Sequence, residues 1–291
     1  MFFRIFSLHP KIFESFFAES LMARAVSKKV FEYEVINWRE KYGFGNYKQV
    51  DDRPFGGGNG MVLKPEPIFE ALQSFQAVSS LFNEQNEIKV HKRILPNNLN
   101  FFRNPTKKAT ISLTPRGFPL TQELLEWLVI NLEEINFLCG RYEGFDARVS
   151  EMVDMEISLG NFVLNGGEVA AMTMIEGISR LLPNFLVKSE SALHDSFSSE
   201  LNIYREQNEF ILGKKKLQQK PELMDKIITK KNLLIFDENK WLQEILPNIE
   251  HPQYTRSEVF AGFKIPEVLK TGDHKLIQKW RYGGWKILDS Y

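Results

Sequence analysis

The sequence predicts an α/β domain built on a sheet with its loops leaving from one end, followed by a smaller, mainly α-helical domain. Two short apolar runs, Ile135 to Cys139 and Met155 to Leu159, each end at a glycine, Gly140 and Gly160. A third run, Phe162 to Leu164, ends at Asn165-Gly166-Gly167-Glu168. Strand-sized runs stopped by glycine are how α/β sheets build small-molecule pockets, because glycine lets backbone approach a ligand closely. The third observation is a polar, serine-rich segment after Pro183, beyond which the pattern is helical or irregular.

Each element follows from its pattern. Phe2 to Leu8 is apolar and aromatic and stops before Pro10, a buried first strand. Lys11 to Ser27 reads as one helix, with Ile12, Phe13, Phe16, Phe17 and Leu21 on a face. Phe31 to Asn37 reads as a second strand with period-two alternation. The loop Val50 to Met61, VDDRPFGGGNGM, carries four glycines. Glycine count by itself favours a surface loop there. It lacks the Lys-Ser/Thr ending of a P-loop, and no G-x-G-x-x-G occurs in the chain, which argues against a nucleoside triphosphate or a nicotinamide cofactor.

Glu66 to Leu81 resumes helical periodicity, and Phe82 to Lys108, rich in Asn and Lys, reads as an insertion with little structure. Ala109 to Leu113 is a strand closed by Thr114-Pro115-Arg116-Gly117, and Thr121 to Leu132 is a helix. Asn165 is placed to cap a helix with Glu168 three residues later, a variant of the capping box. Val169, Met172, Ile175, Ile178 and Leu182 then recur at helical spacing until Pro183. The divisions expected are a domain over residues 1–187, a linker over 188–198 and a smaller helical domain over 199–291.

Composition sets the class. Hydrophobic residues make up 43% and charged residues 25%, the proportions of a soluble globular protein. The one cysteine, Cys139, excludes an internal disulfide and suits a reducing cytoplasm. The opening MFFRIFSLHPKIF has too short an apolar stretch for a signal peptide, and no run reaches membrane-spanning length. The zero net charge hides an asymmetry: residues 198–291 carry 16 Lys+Arg against 13 Asp+Glu. That excess permits a nucleic-acid partner without demonstrating one. The Lys214-Lys215-Lys216 run and Lys279-Trp280-Arg281 are, by pattern alone, solvated helix faces.

Taken together, SLHPKIF, VDDRPFGGGNGM, LTPRG, CGRYEGFDARV, LGNFVLNGGE, SRLLP, DSF, HPQYTR and TGDHKLIQKW resemble the bacterial tRNA (guanine-37, N1)-methyltransferases, the TrmD type of the SPOUT superfamily. Any one segment is weak; nine in order are strong. The resemblance implies a SPOUT fold whose first domain closes with a C-terminal trefoil knot, an exception to the rule that chains do not knot. It also implies S-adenosyl-L-methionine as methyl donor, tRNA as substrate, a homodimer with composite active sites, no membrane association and a cytoplasmic setting. The cofactor shell carried over is Leu113, Thr114, Pro115, Gly140, Tyr142, Glu143, Leu159, Gly160, Phe162, Leu164, Gly166 and Gly167. The chain departs from the family's usual residues at Thr114, Ala147, Leu159, Phe162, Asn165 and Ala170, and the insertion 82–108 is longer than the family's.

The chemistry asks for two groups. N1 of guanine carries a hydrogen at neutral pH, so a base must remove it, and the charge that builds on O6 wants a fixed cation or donor. The resemblance assigns these roles to Asp195 in the linker and Arg180 near the end of the helix after Glu168. Local sequence alone would make Asp195 a cap and Arg180 a surface residue favourable to the helix dipole. His194 is a rival base by its ordinary pKa but has no family counterpart. The glycine loop Asp51 to Met61 resembles the segment that approaches the target nucleotide. His274 with Asp273 reads as a structural helix start, and no Cys/His cluster has zinc spacing. The resemblance brings a magnesium sensitivity for which no ligand can be assigned. The alternatives are a SPOUT methyltransferase with a different RNA target and a non-catalytic RNA-binding protein.

Overall fold

The structure, a computed structural model, describes residues 1–79, 106–186 and 249–283. The expected linker with His194 and Asp195, most of the insertion, and the Lys214–Lys216 run lie outside the described residues.

The sheet has five parallel strands in the order β2-β1-β6-β5-β7: β1 Phe2–Ser7, β2 Glu32–Asn37, β5 Lys108–Pro119, β6 Glu134–Cys139 and β7 Met155–Ser158. A small antiparallel pair, β3 Asp51–Asp52 and β4 Val62–Leu63, brackets the glycine loop. The helices α1 Ile12–Ala18, α2 Ser20–Ser27, α5 Gln122–Asn131 and α6 Glu168–Arg180 cover one face of the sheet. The other face lies under α3 Trp38–Tyr42, α4 Pro65–Ser74 and a 3-10 turn at Ala147–Glu151. Alternate residues of β1 and β6 feed the two cores: Phe3 and Ile5 of β1 and Ile135, Phe137 and Cys139 of β6 enter the first, Phe6 and Leu138 the second. Covering both faces is why these strands read as nearly unbroken apolar runs. Each fully buried Phe or Ile, such as Phe3, Ile5 and Phe137, contributes about 1.5–3 kcal/mol.

Residues 249–283 form a third apolar cluster, Tyr254, Ile265, Leu269, Ile277 and Trp280, packed against Phe55 and Ala147. They contain a two-stranded ribbon, β8 Val259–Phe260 and β9 Phe263–Lys264, a 3-10 turn at Glu267–Lys270, and α7 His274–Arg281. Asp273 caps α7, its carboxylate accepting from the N–H groups of Lys275 and Leu276, as the expected helix start requires.

Several expectations are corrected. The helix expected over Lys11 to Ser27 is two helices, because Glu19 is extended (φ −117°, ψ 148°) and Ser20 adopts φ +52°. β2 shows no period-two burial; its first half is exposed and its second half half-buried, as befits an edge strand. The helix expected to reach Leu81 ends at Ser74. β5 does not close at Leu113 but resumes after a four-residue excursion and runs to Pro119. Residues 162–164 form no strand: Phe162 and Val163 are 53% and 79% exposed. Asn165 caps nothing; the cap of α6 is Gly167, and Glu168 is the helix's first residue.

Candidate active site

Because all five strands run parallel, Ser7, Leu113, Cys139 and Ser158 reach one edge of the sheet. In open α/β sheets ligands bind outside this carboxyl edge. Leu113 pairs with Cys139 on one side and Ile157 on the other, which sets the loops after β6 and β7 beside the excursion in β5. Both Leu113 and Phe118 register against Ile157, so Thr114, Pro115, Arg116 and Gly117 bulge out between them. The bulge can close only through Gly117: a Cβ there would lie 2.5 Å from the Ile157 backbone nitrogen.

The segment that follows β7 crosses this edge. The Gly167 N–H donates to the Gly140 carbonyl at 2.9 Å, and Arg141 forms a bridge with Gly166. A Cβ on Gly167 would sit 2.8 Å from the Cys139 Cα, so only glycine lets the two backbones meet. Three segments thus converge on one edge: 113–117, 140–143 and 159–167. They bring together Leu113, Thr114, Pro115, Gly140, Leu159, Gly160, Gly166 and Gly167. Phe162 and Leu164 project from the crossing segment and are partly exposed.

Tyr142 and Glu143 turn the other way. Arg39 Nη2 on α3 donates to the Tyr142 hydroxyl at 2.7 Å. The Glu143 N–H donates to the Met61 carbonyl at 3.0 Å, and its side chain lies over Gly60. These two residues therefore face the glycine loop and α3 with their side chains.

Arg180 is not at this edge. It ends α6 and is exposed, whereas Glu168 starts the helix at the edge. At ~1.5 Å rise per residue the two lie about 18 Å apart along the axis. One chain alone does not unite Arg180 with the glycine-lined edge.

A buried polar cluster that local patterning missed underpins the site. Glu168 is 1% exposed; Ser7 Oγ donates to its Oε1 at 2.8 Å, and Arg141 Nη2 pairs with its Oε2 at 3.0 Å. The end of β1, the loop after β6 and the start of α6 are fastened by this one carboxylate. Cys139 lies alongside; burial, then the charge of Glu168, pushes its thiol well above the ordinary range, so it stays protonated and is no nucleophile. Among the described residues no group of three His, Cys, Asp or Glu side chains could hold a metal, and no helix is long and apolar enough to cross a membrane.

A family model described as tRNA (Guanine-1)-methyltransferase TrmD matches residues 1–211 and 223–286. A protein of Latilactobacillus sakei subsp. sakei named tRNA (guanine-N(1)-)-methyltransferase is 32% identical over 277 residues, covering 95% of this chain and 82% of that one. One of the same name from Syntrophotalea carbinolica is 34% identical over 284 residues, covering 97% and 83%. A third, from Trichodesmium erythraeum, is 33% identical over 280 residues, covering 96% and 90%. The crystal structure of tRNA (m1G37) methyltransferase from Aquifex aeolicus superposes with a TM-score of 0.49 at 29% identity, covering 97% of this chain and 88% of that one. Neither a different RNA target nor a non-catalytic role is favoured by these matches. The chain belongs to the tRNA (guanine-1)-methyltransferase family, TrmD type, and is a tRNA guanine-N1 methyltransferase.

Proposed function

We propose that the enzyme methylates N1 of guanine 37, next to the anticodon of tRNA, with S-adenosyl-L-methionine as donor, and that it works as a homodimer with composite sites. The observation that carries this reading is a glycine-floored edge of three converging backbone segments, in a chain the family model matches over most of its length. Such an edge suits the donor molecule: backbone N–H and C=O groups can hold adenine, and the partly exposed Phe162 and Leu164 offer it apolar cover. Reliance on backbone also explains why Thr114, Leu159, Phe162 and Asn165 can depart from the family's usual side chains. Leu113 to Pro115, Gly140 to Glu143, Leu159, Gly160, Phe162, Leu164, Gly166 and Gly167 would line the pocket, in a chain closed as a trefoil knot. Bound there, S-adenosyl-L-methionine supplies an electrophilic methyl group.

The protein's own task is then alignment and one proton. Asp195 accepts the N1 proton, a step worth roughly 10²–10⁴-fold. Arg180 holds O6, where its planar fork stabilises developing negative charge better than Lys would. The separation of Arg180 from the edge of its own chain supports the dimer: a second subunit can bring Arg180 and Asp195 to the first subunit's pocket. Residues 1–187 would then hold the donor, 188–198 carry the base, and 199–291 bind tRNA. The setting is the cytoplasm, and the magnesium sensitivity carried by the resemblance has no assigned ligand here.

The test is methyl transfer to a tRNA transcript with guanine at position 37 and to one with adenine there, followed by nucleoside identification. N1-methylguanosine from the first and no product from the second is expected. Equal methylation of both transcripts would remove the position assignment.

A further inference from the structure

We propose that Arg281 is a positioning residue for the glycine loop, and that through it the C-terminal segment holds that loop against the donor pocket. This rests on the reading that the glycine loop approaches the target nucleotide.

The loop braces itself poorly. Gly56, Gly57, Gly58 and Gly60 take φ of +77°, +81°, +132° and +78°, a run that side-chain-bearing residues adopt only under strain. Such a stretch loses much conformational freedom on ordering and has no side chains with which to recover it. Beyond one internal bond, the Gly57 N–H to the Pro54 carbonyl at 3.2 Å, the fixings of its glycines come from outside. Arg281 Nη2, at the end of α7, donates to the Gly56 carbonyl at 3.1 Å and also to the Gly57 carbonyl. The Phe55 N–H donates to the Tyr254 carbonyl at 2.6 Å, and Phe55 packs against the cluster that contains Leu269, Ile277 and Trp280. Leu269 also closes the space beside Gly56, where a Cβ would come within 3.2 Å of its Cδ2. At the other end Met61 accepts from the Glu143 N–H, and Gly60 is covered by the Glu143 side chain.

The glycines are therefore strung between the C-terminal segment and the wall of the pocket edge. Without Arg281 the Gly56 and Gly57 carbonyls lose the donor that sets their orientation, while the pocket edge, fastened by Glu168, keeps its own fixings. Arg281 acts through the loop on the nucleotide and not on the methyl donor.

The experiment compares Arg281→Ala, Arg281→Lys, Gly57→Ala and the Arg281→Ala/Gly57→Ala double variant in the full chain. Gly57 suits this because a Cβ there meets nothing within 4 Å, so alanine perturbs only the loop backbone. Steady-state KM and kcat with tRNA are read at saturating S-adenosyl-L-methionine, with donor binding measured by calorimetry. We expect Arg281→Ala to lower kcat/KM for tRNA by up to about 10²-fold, the scale of a misplaced positioning group. Donor affinity stays within about twofold. Lys, a single point donor in place of a fork, restores only part of the loss. The double variant is no worse than the worse single variant, as expected for residues acting on one element.

Full activity of Arg281→Ala beside an impaired Gly57→Ala would overturn the role of Arg281 and leave the loop's role standing. Full activity of both would overturn the loop reading as well. Losses that multiply, complete rescue by Lys, or a tRNA salt slope reduced by about one would mark a direct phosphate contact and overturn the proposal. Should Arg281→Ala not fold, Arg281→Lys decides it: partial loss for tRNA with donor binding intact supports the proposal, and full activity sinks it.

Discussion

Arg148 lies along Asp146 in a buried two-pronged pair: its Nε and Nη2 donate to Oδ1 and Oδ2 at 2.8 and 2.7 Å, and both side chains are fully buried. The pair reaches across the chain. Asp146 Oδ2 also accepts from the Thr255 N–H at 2.6 Å and hydroxyl at 2.9 Å, and Arg148 Nη1 donates to the Ser257 carbonyl. One carboxylate thus ties the loop after β6 to the segment that meets the glycine loop.

Removing one member of such a pair leaves the other charge buried and unpaired. Asp146→Ala is expected to cost roughly 3–5 kcal/mol of unfolding free energy in a denaturant titration. The 253–257 segment should lose hydrogen-exchange protection before the central strands do. A loss below 1 kcal/mol would mean that Arg148 finds another partner.

Glu168→Gln tests the fastening of the pocket edge. The amide can still accept from Ser7 but no longer neutralises Arg141, so a loss of about 1–3 kcal/mol is expected from the unpaired guanidinium. S-adenosyl-L-methionine affinity, read by calorimetry, should fall with it. Unchanged affinity would separate the Arg141 pair from the pocket.

His251 gives a pH dependence. Burial first, then the nearby Arg281 charge, pushes its imidazole down to about 4, and its ring sits edge-on to Trp280. An unfolded chain protonates the same group near 6.5. Between these values the unfolded state binds more protons, so this contribution is fully present above pH ~6.5 and is lost as pH falls toward 4. Denaturation midpoints from pH 7 to 4.5 should fall less steeply for His251→Phe than for the parent chain. Parallel profiles would remove His251 as the source.

Single-turnover methyl transfer tests the two proposed catalytic groups. Asp195→Asn should slow the chemical step by roughly 10²–10⁴-fold with donor affinity retained. Arg180→Ala should do likewise, by loss of the O6 contact. Subunit mixing supplies the sharper measurement: inactive Asp195→Asn and inactive Gly140 variants, combined, should regain activity if sites are shared across the dimer. No recovery would argue for sites built within one chain.

How much was legible in the sequence depends on the range of each interaction. The strands β1, β6 and β7 were legible because a parallel strand buried on both faces leaves a run of apolar residues. The helix α6 was legible because one apolar stripe repeats along it, and α5, buried over Leu124 to Ile130, because its apolar run is longer than a strand's. The glycines where backbones meet at the sheet edge stood out because backbone contact excludes any side chain, a constraint written at single positions. Nine family-like segments then supplied the chemistry that spacing alone could not.

The sequence by itself determined the α/β class, the glycine-floored edge and, through its motifs, the family and the reaction. Tertiary structure decided what those same residues touch. Glu168 looked like a helix cap and is instead the partner of Ser7, 161 positions away, and of Arg141. Arg281 looked like part of a solvated face and holds Gly56 across 225 positions. Local patterning reports the period and the backbone preference of a stretch. Which distant carbonyl or carboxylate a side chain meets is set only when the sheet register brings those stretches together.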